Sequence, residues 1–128
     1  HRLASLPRFP IKEVENEPFI SLLETSDHDA RRALEAAGVK PNIRYTTKDD
    51  YAIIAMVEQG LGVSIMPELL LSGRSDNVRI MELTPPASRT IGLCLPDADR
   101  AGPATLRFAD CVSDWVREHY SRLQNTLS

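Results

Sequence analysis

The chain has 128 residues, 42% of them hydrophobic and 26% charged, with a formal net charge of −3 and a pI near 5.6. That suffices for one small domain with a modest core, or for part of a larger one. It excludes a basic field for phosphate neutralisation, an apolar run near the roughly 18 residues that span a bilayer, and a secretory leader pattern. A cytoplasmic domain with no DNA or membrane contact of its own is therefore expected.

Residues 1–17 hold Pro7 and Pro10, and Pro18 follows at once. Each proline restricts its predecessor to extended geometry. The segment reads as an extended lead-in with a short helical turn near Lys12–Val14. Pro18–Leu23 is an apolar run of strand length. Glu24-Thr25-Ser26-Asp27 is rich in capping side chains, and Ala30, Ala33, Leu34 and Ala37 then fall on one helical face. Gly38 closes that helix in the position that tolerates positive φ. A strand follows over Asn42–Thr46.

Thr46 or Thr47 is the expected N-cap of the next helix, with Asp49 and Asp50 in its first turn. That helix is apolar over much of its circumference at Ile53, Ala55, Met56 and Val57, and Gly60 ends it. Leu61–Met66 reads as a strand in which Gly62 marks close backbone approach. Pro67 suits the first position of a short helix over ELLL. Val78–Leu83 and Thr90–Leu95 read as two further strands. A final helix over about 104–120 carries Phe108, Cys111, Val112, Trp115, Val116 and His119 on one stripe, with a frayed tail from Ser121. The two cysteines, Cys94 in a strand pattern and Cys111 on that stripe, read as reduced core thiols.

Strands and helices alternate, which implies an α/β fold with a mostly parallel, three-layer sheet and right-handed crossovers. Ligands bind at the edge where parallel strands end. Two strand-to-helix turns fall on that edge, one with Thr25 and Ser26, the other with Thr46, Thr47 and Lys48. Both bring hydroxyls to a helix N-terminus, whose free N–H groups and dipole favour anions. A small carboxylate is the ligand class this suggests, although serine and threonine at helix starts also serve simply as caps.

Catalysis and metal binding find little in the residues. His1, His28 and His119 have no Cys, His or carboxylate at ligand spacing. There is no nucleophile elbow, phosphate loop or dinucleotide fingerprint. No enzyme, cofactor or metal is expected.

The segment Val57-Glu58-Gln59-Gly60-Leu61-Gly62-Val63-Ser64-Ile65-Met66-Pro67 resembles the V-x-x-G-L-G-V-x-I-x-P stretch of the effector-binding domain of LysR-type transcriptional regulators. The flanks agree. His1-Arg2-Leu3-Ala4 resembles that family's H-P-L-A, with Arg2 in place of proline. Ile11–Val14 followed by Glu17-Pro18-Phe19-Ile20 is similar to its "dL…epfI" segment. Thr90–Leu95 and the Phe108–Trp115 helix are similar to its closing strand and helix.

The resemblance implies a type II periplasmic-binding-protein-like fold, two α/β subdomains with the effector between them. It implies that residues 1–14 are a crossover segment and 15–84 the second subdomain. Residues 85–128 then hold the return crossover, closing strand and C-terminal helix. The helix-turn-helix and most of the first subdomain fall outside the chain. It further implies a sensor that binds a small effector near Thr25, Ser26, Thr46, Thr47 and Met66; Lys48 is not a fixed feature of the family, and its place in the site rests on its charge alone. Residues 27–38 correspond to a helix that packs across the family's dimer interface. The 104–120 stripe normally covers the first subdomain, and self-association through either helix is expected. A fragment of a transporter's solute-binding protein of the same fold is the alternative reading.

Overall fold

The computed structural model describes residues 1–23, 28–71, 77–95 and 100–126. They fall into two compact units, His1–Arg89 and Thr90–Ser128.

The first unit opens on β1 (Phe9–Pro10), which pairs in parallel with β4 (Leu83–Thr84). Phe9 N–H donates to the Glu82 carbonyl at 2.7 Å. A single 3-10 turn over Ile11–Glu15 follows. Residues three apart eclipse in such a turn, so Ile11 and Val14 point inward together and both are fully buried.

β2 (Pro18–Leu22) is the central strand. One edge carries the parallel partner β3 (Asn42–Thr47), with Phe19 opposite Ile43 and Ser21 opposite Thr46. The other edge meets the chain at Val63, where Val63 N–H donates to the Pro18 carbonyl and Ile20 N–H to the Val63 carbonyl, both at 2.9 Å. Successive strand residues point to opposite faces, so a strand buried on both faces reads as a continuous apolar run, and the neighbours Phe19 and Ile20 are both buried.

α1 (His28–Ala36) lays Ala30 and Leu34 into the core, where Leu34 joins Ile11, Val14, Phe19 and Val39. It ends as expected on Gly38, at φ +66°. Val39 N–H reaches the Leu34 carbonyl and Gly38 N–H that of Glu35, the paired bonds of a Schellman motif. α2 (Asp50–Glu58) ends the same way on Gly60, at φ +74°, with Leu61 N–H bonded to the Met56 carbonyl and Gly60 N–H to that of Val57. α3 (Glu68–Leu71) starts behind Pro67.

Several expectations need correction. Leu61–Met66 is reduced to one bridge at Val63, and Val78–Leu83 pairs only at its end, in β4. Thr90–Leu95 forms no strand. A strand exists only through its ladder, and among the described residues this segment has no pairing partner. Cys94 and Cys111 are exposed rather than buried, because neither the 90–95 segment nor the helix face carrying Cys111 is covered. α2 buries only Ile53 and Ile54, and its Ala55 is exposed.

The second unit is dominated by α4 (Pro103–Thr126), which continues through the expected frayed tail. Proline at its first residue has a ready-made φ and no orphaned N–H. Its predicted apolar stripe is largely uncovered, with Phe108 63% and Trp115 56% exposed. His119 lies one turn beyond Trp115, stacked on the indole with ring centres 4.3 Å apart. Its Nδ1 sits 2.9 Å from the Trp115 carbonyl.

Candidate functional site

Parallel pairing sends β2, β3 and the chain at Val63 in one direction, so their C-terminal ends share one edge. The order across that edge is β3, β2, then residues 63–66. Thr46 and Thr47 are the last residues of β3, opposite Ser21 and Leu22. The Leu23 N–H extends the ladder to the Thr47 carbonyl at 2.8 Å. On the far side of β2, the Ser64 hydroxyl donates to the Ile20 carbonyl at 2.8 Å, and Met66 follows two residues later.

The structure therefore brings Thr46, Thr47, Lys48 and Met66 to one edge of the unit. Thr46 and Lys48 are exposed, while Thr47 and Met66 are half-buried. Thr25 and Ser26 lie outside the described residues.

The expected cap is corrected. Neither Thr46 nor Thr47 caps α2, because β3 runs through both. Asp49 is the N-cap, and its carboxylate accepts from Tyr51 N–H at 2.8 Å. The Thr47 Oγ accepts from Asp49 N–H at 3.2 Å, tying the strand end to the cap. Thr46 and Lys48 are exposed, and among the described residues neither side chain has a hydrogen-bond or ion-pair partner. A hydroxyl and a cation side by side, next to a helix start, suit an anionic oxygen ligand.

Sequence reasoning missed a second feature. A cavity of about 480 Å³ lies behind Met66, walled by Ile54 and Val57 of α2, Val63 and Ile65, and Val78 and Ile80. Its signal was the sequence of α2, which is apolar on more than one side. Ile53 and Ile54 of α2 are buried, while Val57, on the cavity wall, is only half-buried. Among the described residues no group of three His, Cys, Asp or Glu side chains is placed to hold a metal. No helix among them is long and apolar enough to cross a membrane.

Charge clusters lie elsewhere in this unit. Glu17, almost wholly buried, accepts from Arg2 Nε at 2.8 Å and lies 3.1 Å from His1 Nε2. Arg2 also reaches Glu13. On α1, Asp29 is bound by Arg32 and by Arg89. The Arg89 and Arg32 guanidiniums hold its carboxyl below the usual range.

Comparison with known proteins bears on what this edge belongs to. The chain is 26% identical over 116 residues to the uncharacterized HTH-type transcriptional regulator YvbU of Bacillus subtilis, covering 89% of this chain and 40% of that protein. It is 27% identical over 123 residues to YybE of the same organism, described in the same terms, covering 94% of this chain and 41% of the relative. It thus spans about two fifths of the length of these relatives. A crystal structure of HinK, a LysR family transcriptional regulator from Pseudomonas aeruginosa, is similar at 28% identity and a TM-score of 0.45, over 52% of this chain and 24% of that one. The family profile described as the LysR substrate binding domain matches residues 1–117. The chain belongs to the LysR substrate-binding-domain family.

Proposed function

We propose that this chain is the effector-sensing part of a LysR-type transcriptional regulator, acting in the bacterial cytoplasm. It supplies one wall of a ligand cleft in a type II periplasmic-binding-protein-like domain and relays occupancy to a helix-turn-helix domain elsewhere in the parent protein. The observation that carries the reading is the convergence of the parallel ends of β2 and β3, with the bridged chain at Val63 beside them, on one edge in a chain of this family.

On this reading the effector is a small anion, most simply a carboxylate. Thr46 and Lys48 meet its oxygens, Thr47 shapes the turn and Met66 lines the apolar side. Thr25 and Ser26 come from the facing loop. The chemistry asked of the chain is binding alone: hydroxyl and ammonium donors replace the water around a carboxylate, and apolar neighbours select its body. Self-association through the 27–38 helix, the 104–120 helix or both accompanies this role.

The test is a thermal-shift screen of small carboxylates against the parent protein's complete effector-binding domain. A hit is expected to raise the melting temperature and to lose about tenfold in affinity in Thr46→Ala, the loss expected for one charge-assisted hydrogen bond. Equal affinity in Thr46→Ala and Lys48→Ala would remove this edge from the site.

A further inference from the structure

We propose that Asp29 and Arg89 form a latch through which α1 holds the chain's exit from the first unit. Arg89 is the last residue of that unit, and Asp29 lies in the first turn of α1, 60 positions earlier in sequence. Arg89 Nη1 donates to Asp29 Oδ2 at 2.9 Å, with the two side chains 34% and 31% exposed. The other Asp29 oxygen takes Arg32 from the same helix. Arg32 therefore orients the carboxylate, and Arg89 uses the oxygen left over.

This bond does what no backbone ladder does in that region. After β4 ends at Thr84, residues 85–89 form no helix or strand and are exposed throughout. Pro85 and Pro86 have no N–H to donate. Arg89 then anchors the end of this stretch to a helix packed into the core by Ala30 and Leu34. The partner sits on a helix packed into the core, whereas the stretch has neither helix nor strand to hold it.

The functional consequence rests on the reading above. On that reading the effector meets the same unit, into whose core α1 is packed by Leu34. A displacement of α1 by a ligand there would move Asp29, and with it the point where the chain leaves this unit.

Trypsin reads the latch directly and without any ligand, so its outcome is independent of the effector assignment. The protease must take the Arg89 side chain into its own specificity pocket, and Asp29 competes for the same guanidinium. Cleavage of the Arg89–Thr90 bond in the 128-residue chain is followed by mass spectrometry, relative to cleavage after the exposed Arg79. Asp29→Asn is expected to speed it about two- to fivefold, the range a partly exposed ion pair supports. Arg32→Gln, which leaves Asp29 to Arg89, is expected to give no acceleration. In the unmodified chain, high salt should speed the cut, and in Asp29→Asn it should not. Equal rates in the unmodified chain and Asp29→Asn, or the same salt response in both, would overturn the proposal. The salt comparison within the unmodified chain needs no variant to fold.

Discussion

Gly62 shows how one missing side chain sets the packing of a sheet. A Cβ built there would lie 2.2 Å from the Pro18 carbonyl oxygen, the same oxygen that accepts the Val63 N–H. The obstacle is backbone, so no side-chain rotation relieves it. Gly62→Ala is expected to cost about 1–3 kcal/mol, the range for overpacking in a close contact, and urea unfolding checks it. Asp49 carries a different kind of local term. Its carboxylate satisfies an N–H at the start of α2, and Asp49→Ala should cost about 1 kcal/mol in the same measurement.

Asp29 adds a pH term with a definite sign. Arg89 first, and Arg32 second, depress its native pKa below the ordinary value of 3.8. A depressed acid contributes stability that is fully present above its unfolded pKa and is lost as pH falls through the native one. The acid limb of stability against pH should therefore be shallower in Asp29→Asn below about pH 4. An unchanged limb would show that the pairs form equally in the unfolded chain.

Among the elements, β2 holds the first unit together. It is the strand with neighbours on both edges, and Ile20 at its middle is wholly buried. Ile20→Ala removes three carbons from a site bounded by backbone on both sides and should cost about 2–5 kcal/mol. β3 is the contrasting case: among the described residues it pairs on one edge only, and its Ile43 and Tyr45 are exposed. Its register slips between the Phe19 and Ile20 pairs, an irregularity of the kind that discourages further strands from adding to an edge.

At the scale of the second unit, large apolar side chains stand exposed together, and such surfaces tend to find a partner. Phe108, Trp115 and Val116 of α4 are exposed, as are Ile91 and Leu93. The proposed self-association follows, and light scattering over a concentration series should show it. Phe108→Ser should shift the association to about tenfold higher concentration or more, because burying such a side chain is worth about 1.5–3 kcal/mol. A monomer at all concentrations, with Trp115 fluorescing as in water, would contradict it.

The elements whose causes are local were legible in advance. Both glycine-closed helix ends lie where the sequence places them, since positive φ is a property of the residue itself. The Ala30–Leu34 face of α1 was readable because burial on one side imposes a period, and β2 because burial on both faces leaves an unbroken apolar run. Family membership followed from the glycines and proline around residues 57–67 and from their flanks. The turn at Thr46, Thr47 and Lys48 was placed on the edge by strand order, whereas Met66 was named only through the family resemblance.

Other features depended on distant parts of the chain. Which residue caps α2 turned on how far β3 runs, and that is set by its pairing with β2. Whether 61–66 and 90–95 are strands turned on the presence of partners, since no segment can satisfy its own ladder. The cavity behind Met66 and the Asp29–Arg89 pair join residues far apart in sequence, and no local pattern encodes such meetings. Local chemistry named the pieces, and long-range pairing selected which of them could be completed.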